Sequence, residues 1–472
     1  MFNRKFLTIG LVAVSATLSA QERNKQPNIL LVLSDDHSAP FLGCYGNPDL
    51  KTPNLDRMAE EGLLFSRAYV SCPQSVPSRA TILTGRNVLD IKMLRFSSPL
   101  GKDITTGPEI LREKGYFTGL CGRIFHLDGM GAGISPETRK VYEEYGLITF
   151  PERVDYLKVT EVTPDAIIQQ FNEFLDLVPK GKPFFLQTSF SDPHRPFTAK
   201  EFEPDPLKLQ VPSTLPDTKL LREDLSAHYG EIQRLDASMG KILESLKKRG
   251  LDKNTIVIFM GDNGASLLRG KGTLYDCGIH VPLIVRWPGV IKPGSVCDIL
   301  VSGEDIVPTF LEAAGIKPQK EITGFSLLPV LMGDTKPVRE YLFSVRGPHG
   351  SNLPNKSMNP FDMGRVVLDK KYKLIYNPLY YLYYSPIDCS NEPYWLELVQ
   401  LNKEGKLDPR FSGTILFTPE RPMFELFDSE NDPGEFINLI GKPEYKEVEH
   451  RLKAKLNEWM ILYHDVVPTP FK

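Results

Sequence analysis

The sequence has no large excess of charge of either sign, and it has no apolar run long enough to span a bilayer. Its net charge is -3 and its pI is about 6.3, so bulk charge gives no reason to expect nucleic acid or an anionic membrane as a partner. A polyanionic substrate would have to be bound by local basic residues. The chain lacks internal repeats and low-complexity tracts. Its 472 residues, 41% of them hydrophobic, suffice for a large domain and a smaller second one.

The sequence also lacks a C-x-x-C pair, which argues against a zinc knuckle and against a thioredoxin-like redox site. Its six isolated cysteines are predicted to be mostly buried thiols. Export would permit disulfides, but the sequence does not choose among the pairings. The cysteines are Cys44, Cys72, Cys121, Cys277, Cys297 and Cys389.

The N-terminus has the three parts of a secretory signal peptide. Basic Arg4 and Lys5 precede an apolar run at residues 6–18, and Ser19 and Ala20 are small residues suited to a cleavage point. No cysteine follows the run, so a lipoprotein anchor is not indicated. An uncleaved membrane anchor is the less favoured alternative because the run is short. We therefore expect residues 1–20 to be removed and the mature protein to be periplasmic or secreted, without membrane attachment.

Polar side chains follow four short apolar runs, each at the point where the run ends. Such runs are typical of strands buried on both faces of a sheet. Helical patterns lie between them, at residues 52–62, 109–115 and 225–250. The runs and the residues after them are 28–33 with Asp35, Asp36 and His37; 117–121 with Arg123 and His126; 184–190 with Asp192 and His194; and 255–260 with Asp262 and Asn263.

This alternation of strands and helices predicts an α/β protein with a mostly parallel sheet flanked by helices. Ligand sites in such sheets lie beyond the C-terminal ends of the strands, so we expect the four polar groups to form one shared site. The pattern then changes to a strand at 369–376 and a closing helix at 444–463. We predict a catalytic domain at residues 27–345 and, at residues 346–472, a small C-terminal α+β subdomain with an antiparallel sheet.

The two acidic pairs, Asp35-Asp36 and Asp262-Asn263, suit a hard divalent cation. Adjacent carboxylates repel each other unless a cation lies between them. Three carboxylates and one amide oxygen are ligands that favour Ca²⁺ or Mg²⁺ over zinc. Either pair alone could simply solvate the end of a strand. Two such pairs, ending two buried strands, favour a metal site.

A serine lies at the predicted start of a helix within residues 71–86. Pro77 suits the first helical turn, where a missing N–H costs nothing. Ser75 would then lie at the helix N-terminus, where free N–H groups favour an anion, and Arg79 lies one turn further on. The alternative is an ordinary N-cap serine with a surface arginine.

The segment Ser75-Val-Pro-Ser-Arg79, followed by Thr84-Gly85, resembles the signature of the formylglycine-dependent sulfatases. In that family a maturation enzyme oxidises the first residue, cysteine or serine, to an aldehyde (formylglycine, 3-oxoalanine) that hydrates to a gem-diol. The resemblance covers most of residues 27–345, with the separated motifs in the family's order. It implies an alkaline-phosphatase-like fold and hydrolysis of sulfate esters, or of sulfamates, of a carbohydrate.

The resemblance also implies a role for each matching residue. The ligands of a calcium ion, with Mg²⁺ less favoured, would be Asp35, Asp36, Asp262, Asn263 and the modified Ser75. The catalytic residues would be Ser75, Arg79, Arg123, His126, His194 and Lys271, of which the lysine looks like the family's sulfate-binding lysine and the histidines like its catalytic pair. Two further residues, Arg346 and His349, are expected to contact the sugar.

The chain departs from the family pattern at two positions. Arg123 stands where the family often has lysine; arginine keeps the charge and can bind sulfate through two donors. Ser75 in place of cysteine implies a serine-type maturase as a partner, a form associated with anaerobic bacteria. Finer similarities point to the substrate: residues 192–195 and 344–349 are similar to heparan sulfamidases, and residues 122–126 to iduronate sulfatases.

Two other functions compete with a sulfatase. A phosphatase or phosphotransferase of the same superfamily would use unmodified Ser75, but it would normally need a two-zinc site richer in Asp and His. An unmodified, non-catalytic binder of sulfated glycans is the second alternative. Against it, a chemically competent residue occupies every matched catalytic position.

Overall fold

The structure, a computed structural model, describes residues 26–94, 99–124, 127–129, 134–159, 161–349, 361–382, 384, 386–414, 416–418 and 420–470. The predicted signal peptide and His126 lie outside the described residues. Within those ranges, no helix combines the length and the apolar character needed to cross a membrane.

The strands of the described residues form three sheets. In chain order they are β1 (Asn28–Ser34), β2 (Leu63–Phe65), β3 (Ala68–Tyr69), β4 (Phe117–Gly122), β5 (Tyr156–Lys158), β6 (Phe184–Ser189), β7 (Thr255–Gly261), β8 (Leu283–Arg286), β9 (Ser295–Cys297), β10 (Val301–Ser302), β11 (Leu342–Arg346), β12 (Gly364–Leu368), β13 (Tyr372–Tyr376) and β14 (Phe424–Asp428).

The central sheet has eight strands in the order β5-β4-β6-β1-β7-β8-β2-β9. The five strands from β5 to β7 in this order are mutually parallel, and β8 runs antiparallel to both of its neighbours. Every residue of β1 and β7 is buried, because these two strands lie in the middle of a sheet covered on both faces. The predicted mostly parallel, helix-flanked sheet is confirmed.

The α-helices surround this sheet. They are α1 (Pro53–Glu60), α2 (Ser75–Thr84), α3 (Gly107–Glu113), α4 (Pro136–Glu144), α5 (Phe150–Arg153), α6 (Pro164–Leu177), α7 (Lys219–Lys248), α8 (Asp276–Ile279), α9 (Ile306–Ala313), α10 (Leu328–Leu331), α11 (Pro393–Lys403), α12 (Pro409–Ser412) and α13 (Lys446–Leu462). Helix α7 begins six residues before its predicted start, because the hydroxyl of Thr218 caps it by accepting a hydrogen bond from the N–H of Leu221.

The C-terminal part forms a four-stranded antiparallel sheet in the order β11-β12-β13-β14, as predicted. Helix α13 closes it, and Trp459 of this helix stacks on Phe343 with ring centroids 4.9 Å apart. Buried Arg365 of β12 pairs with Asp465, just beyond the helix, which fastens the end of the chain to the sheet. All six cysteines are free thiols, and three of them are buried.

Candidate active site

The two acidic pairs lie side by side because the strands that precede them end in register. Ser34 at the end of β1 pairs with Gly261 at the end of β7. The next residues therefore meet: the backbone N–H of Asp36 donates to Asp262 Oδ1 at 3.0 Å, and Asn263 Nδ2 donates to Asp36 Oδ1 at 2.9 Å. Asp36 adopts a left-handed backbone (φ 62°), which aspartate tolerates better than most residues.

Ser75 is the first residue of α2 and points into this cluster. Its Oγ lies 3.2 Å from Asp35 Oδ1 and 2.9 Å from Asn263 Oδ1. Gln74, with an extended backbone, occupies the cap position, and Ser75 is only 3% exposed. The alternative of an ordinary N-cap serine is therefore wrong.

Three basic side chains neutralise the carboxylates around Ser75. Arg79 is fully buried, with Nε 2.8 Å from Asp262 Oδ2, so it is no surface arginine. Arg123 Nε lies 2.5 Å from Asp35 Oδ2, and Lys271 Nζ lies 2.8 Å from Asp36 Oδ1. The structure thus brings all of these predicted residues into one cluster.

A residue that the sequence interpretation missed, Asp388, completes the cluster. Its Oδ2 lies 2.6 Å from Lys271 Nζ and 3.8 Å from His194 Nε2. His194 Nε2 is also 3.8 Å from Asp36 Oδ2. Asp388 follows no buried strand and belongs to no recognised motif, so the sequence carries no signal that would have identified it.

The two predicted sugar contacts lie next to this cluster. Arg346 is buried, with Nη1 2.8 Å from Asp362 Oδ2, and its guanidinium lies 5.2 Å from the centre of the Tyr384 ring. The N–H of the following residue, Gly347, donates to Gln74 Oε1 at 3.3 Å, so the end of β11 lies beside the start of α2. His349 is also buried, and burial lowers its pKa to about 4.

Two histidines near the cluster have structural roles. The ring nitrogens of His37 lie 3.1 Å from Ser34 Oγ and 2.9 Å from the carbonyl oxygen of Phe41. His280 Nε2 lies 2.9 Å from the carbonyl oxygen of Ser66. These bonds use the ring nitrogens to hold loops together.

Burial and neighbouring charges shift the pKa values of the three carboxyl groups: those of Asp36 and Asp262 are raised, and that of Asp35 is lowered. Burial, opposed by Lys271 and reinforced by Asp35, raises the pKa of Asp36 to about 7. Burial and Asp35 likewise raise the pKa of Asp262 to about 6. Burial also works against ionised Asp35, but Arg123 and Arg79 outweigh it and hold the pKa of that carboxyl well below its usual range.

This arrangement fits a hard divalent cation. Oxygen atoms of Asp35 and Asp36 and a ring nitrogen of His194 lie within 4.8 Å of one another, and Asp262 and Asn263 adjoin them. Among the described residues of the cluster, four carboxylates face three permanent cations. A bound divalent ion would turn this excess of negative charge into the positive charge that an anionic substrate requires.

A groove of about 730 Å³ between the start of α6, the loop after β6 and the face of α7 borders the cluster at Arg123 and His194. The side chains of these two residues are each 19% exposed. Arg234 and Lys241 also line the groove, and both pair with acidic side chains. A substrate anion can therefore approach from the side of Arg123 and His194.

Gly272 allows the segment that carries Asp388 to pack against the loop of Lys271. A Cβ at this glycine (φ 78°) would lie 2.1 Å from Ile387 Cδ1. We expect Gly272→Ala to lower the free energy of unfolding by about 3 kcal/mol, because the penalty for a left-handed alanine and the penalty for overpacking are added together. Gly405→Ala is the control, because its φ of 67° is similar but nothing lies within 4 Å. Equal losses for both variants in urea unfolding would contradict this packing argument.

The parallel sheet, with an oxygen-rich, cation-lined cluster beyond its strand ends, defines a hydrolase of the alkaline-phosphatase-like fold. Residues 27–316 match the family described as "Sulfatase", and residues 267–405 match the one described as "N-sulphoglucosamine sulphohydrolase, C-terminal". The chain belongs to the sulfatase family and is a sulfuric ester hydrolase. The family predicted from the sequence is confirmed.

Individual relatives agree with this assignment. An "Ulvan-active sulfatase" of Formosa agariphila is 28% identical over 452 residues, which cover 94% of this chain and 82% of that protein. The human "N-sulphoglucosamine sulphohydrolase" is 28% identical over 489 residues, which cover 94% of this chain and 91% of that protein. A protein solved in complex with its substrate D-glucosamine-2-N,6-O-disulfate has the same fold, with a TM-score of 0.69 at 21% identity over 95% of this chain and 100% of that chain.

Proposed function

We propose that this protein removes sulfate groups from a sulfated carbohydrate, using a formylglycine made from Ser75 and a bound Ca²⁺. The observation that carries this proposal is the position of Ser75: its Oγ touches oxygens of Asp35 and Asn263, at the centre of the carboxylates and the basic side chains. Relatives named for ulvan and for N-sulphoglucosamine support a sulfated carbohydrate as the substrate.

The metal would be held by Asp35, Asp36, Asp262, Asn263 and the modified residue at position 75. Oxygen ligands favour Ca²⁺ over zinc, and several carboxylates in one site favour it over Mg²⁺. When bound, such an ion polarises a sulfuryl oxygen and eases deprotonation of a hydroxyl group.

A formylglycine at position 75 would explain why a hydroxyl-bearing residue is buried among carboxylates. Its hydrate would supply two hydroxyl groups, one as the nucleophile towards sulfur and one whose deprotonation would release the sulfate. An unmodified serine lacks the second hydroxyl, so a sulfate ester formed on it would be trapped. The proposal therefore requires a serine-type maturase as a partner.

The other side chains bind the sulfate and move protons. Arg79, Arg123 and Lys271 lie around Ser75 and would neutralise charge on the sulfuryl oxygens once a bound metal ion takes up the carboxylates with which they pair. His194, together with Lys271, would protonate or stabilise the departing atom. His126, which lies outside the described residues, is assigned the complementary role of base by resemblance to the family.

The sugar would contact Arg346 and His349, at the side of the cluster formed by the C-terminal sheet. We further propose a catalytic domain at residues 27–345 and a C-terminal subdomain at residues 346–472; β11 crosses this boundary and pairs with β12 of the C-terminal sheet. Residues 1–20 are proposed to be a cleaved signal peptide, which would make the protein periplasmic or secreted.

Sulfate release after maturation tests this proposal. The protein is produced with and without a serine-type maturase and assayed on defined heparan, chondroitin and mucin saccharides. We expect release only from the co-expressed protein, whose peptide bearing Ser75 should have lost two hydrogens. Metal analysis of the same sample should find calcium. Paired zinc with phosphatase activity, or an oxidised protein that binds these saccharides without turnover, would contradict the proposal.

A further inference from the structure

A cavity of about 370 Å³ lies between the catalytic part of the chain and the C-terminal sheet. One side of it is formed by the segments 302–304 and 323–325, and the other by the start of β11 and by α13. None of its described lining residues belongs to the cluster around Ser75, so the removal of sulfate makes no use of it. Its volume lies within the range of about 300 to 1,000 Å³ in which proteins bind small molecules.

Aromatic side chains make up much of the described lining of this cavity. They are Phe325, Tyr341, Phe343, Trp459 and Tyr463. Phe343 and Trp459 hold each other in place, because their rings stack with centroids 4.9 Å apart. Phe325 is 50% exposed, so its ring borders the opening to solvent. Rigid aromatic rings bury the apolar parts of a ligand at a low cost in conformational entropy.

The cavity is also lined by polar groups that hydrogen bonds hold in place. Glu304 accepts hydrogen bonds from Ser71 Oγ at 2.6 Å and from Thr323 Oγ1 at 2.7 Å. Arg339, whose side chain is 8% exposed, pairs with Asp305 through Nη2. Its Nη1 has no hydrogen-bond partner among the described residues. A buried donor without a partner is costly, so a ligand that accepts a hydrogen bond from Arg339 would remove this cost.

The charges of the lining argue against an anionic ligand. Its described charged residues are three glutamates and two cationic residues: Glu304, Glu340, Glu458, Arg339 and Lys455. Lys455 Nζ already lies 2.9 Å from Glu458 Oε2. The cavity therefore has no surplus of positive charge with which to attract a sulfate group. A purely apolar ligand fits no better, because it would leave Arg339 Nη1 without an acceptor.

An uncharged sugar meets all of these requirements. Its hydroxyl groups both accept and donate hydrogen bonds, so they can bond to Arg339 and to Glu304. The C–H groups of its ring can pack on the aromatic side chains of the lining.

A second cavity gives room for more than one sugar unit. Arg339 and Glu340 also line a cavity of about 720 Å³, together with Tyr372 and Arg451, so the two cavities adjoin. Both lie near the start of β11, whereas Arg346, proposed above to contact the sugar, ends this strand. Since four residues of a strand span about 13 Å, this place is distinct from the site at Ser75.

We propose that this cavity is a second carbohydrate-binding site, which takes a sulfate-free sugar unit of a glycan chain. It goes beyond the function proposed above, because it lies apart from the residues that remove sulfate. Binding here does not require the maturation of Ser75.

Calorimetric titration of the unmatured protein with three neutral disaccharides, N-acetyllactosamine, chitobiose and maltose, tests this inference. We expect saturable binding of at least one of them, with a change in tryptophan fluorescence that Trp459→Phe abolishes. Phe325→Ala removes the half-exposed ring, and Arg339→Lys keeps the charge beside Asp305 but loses the planar guanidinium. Each of these two variants should raise the Kd at least about tenfold. Tyr145→Ala removes a ring that is 71% exposed at the end of α4 and is the control, which should leave the Kd unchanged.

Thermal unfolding first shows which variants are folded, and if either cavity variant is not, the other decides. Failure of all three disaccharides to bind, an unchanged Kd in the folded cavity variants, or an equal loss for Tyr145→Ala would overturn the inference. Displacement of the sugar by inorganic sulfate would also overturn it, because binding would then lie at the cationic cluster. Matured Phe325→Ala should release sulfate from a sulfated monosaccharide as wild type does. A wild type that binds the disaccharide but releases no sulfate would contradict the proposed function and leave this inference standing.

Discussion

Replacing Ser75 with alanine is expected to abolish sulfate release, with a loss in kcat of at least ~10⁴-fold, because the residue that supplies the nucleophile is removed. The protein should still fold. The Ser75 hydroxyl has one hydrogen, which it can donate to Asn263 Oδ1 or to Asp35 Oδ1, and losing that bond costs about 1 kcal/mol of unfolding free energy. The turnover of the co-expressed variant checks the loss of kcat, and its urea unfolding curve checks the small loss of unfolding free energy.

Ser78→Ala is the matched control for this variant. Ser78 lies one turn further along α2 and is fully buried, and its hydroxyl has no hydrogen-bond partner among the described residues. We expect full maturation, near-normal activity and little change in stability. Substantial turnover by Ser75→Ala, or an equal loss for both variants, would refute the assignment of the nucleophile.

Removal of the metal should have the second-largest effect on activity, after the loss of Ser75. A chelator is expected to lower kcat/KM by at least ~100-fold, because the carboxylates then hold the basic side chains that would otherwise contact sulfate. Added Ca²⁺ should restore activity. Ca²⁺ should also raise the melting temperature of the unmatured protein, since an ion at about 100 times its Kd stabilises the folded state by about 2.7 kcal/mol.

Asp262→Asn removes one charged ligand of the proposed metal. It should weaken both the recovery of activity and the rise in melting temperature that Ca²⁺ produces. Asp262 is fully buried between Asp36 and Arg79, whereas Asp298 is exposed and its ionic partner in the described part of the chain is Lys370, on the surface. Asp298→Asn is therefore the control and should keep the full calcium-dependent rise in melting temperature. If Asp262→Asn also keeps it, these carboxylates do not bind the ion.

Most of the sheet and of the cluster could be predicted from the sequence because both depend on local patterns. The apolar runs before Asp35 and before Asp262 identify buried parallel strands, and the strand ends of a parallel sheet lie at one edge. The segment around Pro77 predicted a helix whose first turns carry Ser75 and Arg79, two more residues of the cluster. The start of α7 could not be read from hydrophobic periodicity, because it is set by the capping hydroxyl of Thr218.

The sequence by itself determined the family, the parallel sheet and the residues that meet beyond its strand ends, because each depends on short stretches whose chemistry is local. Only the tertiary structure decided how deeply Ser75 and Arg79 are buried, and that Asp388 joins Lys271 and His194. Asp388 comes from a segment more than 100 residues beyond Lys271 in the chain. Its place depends on packing between Gly272 and Ile387, and a contact between such distant segments leaves no periodic pattern in either of them.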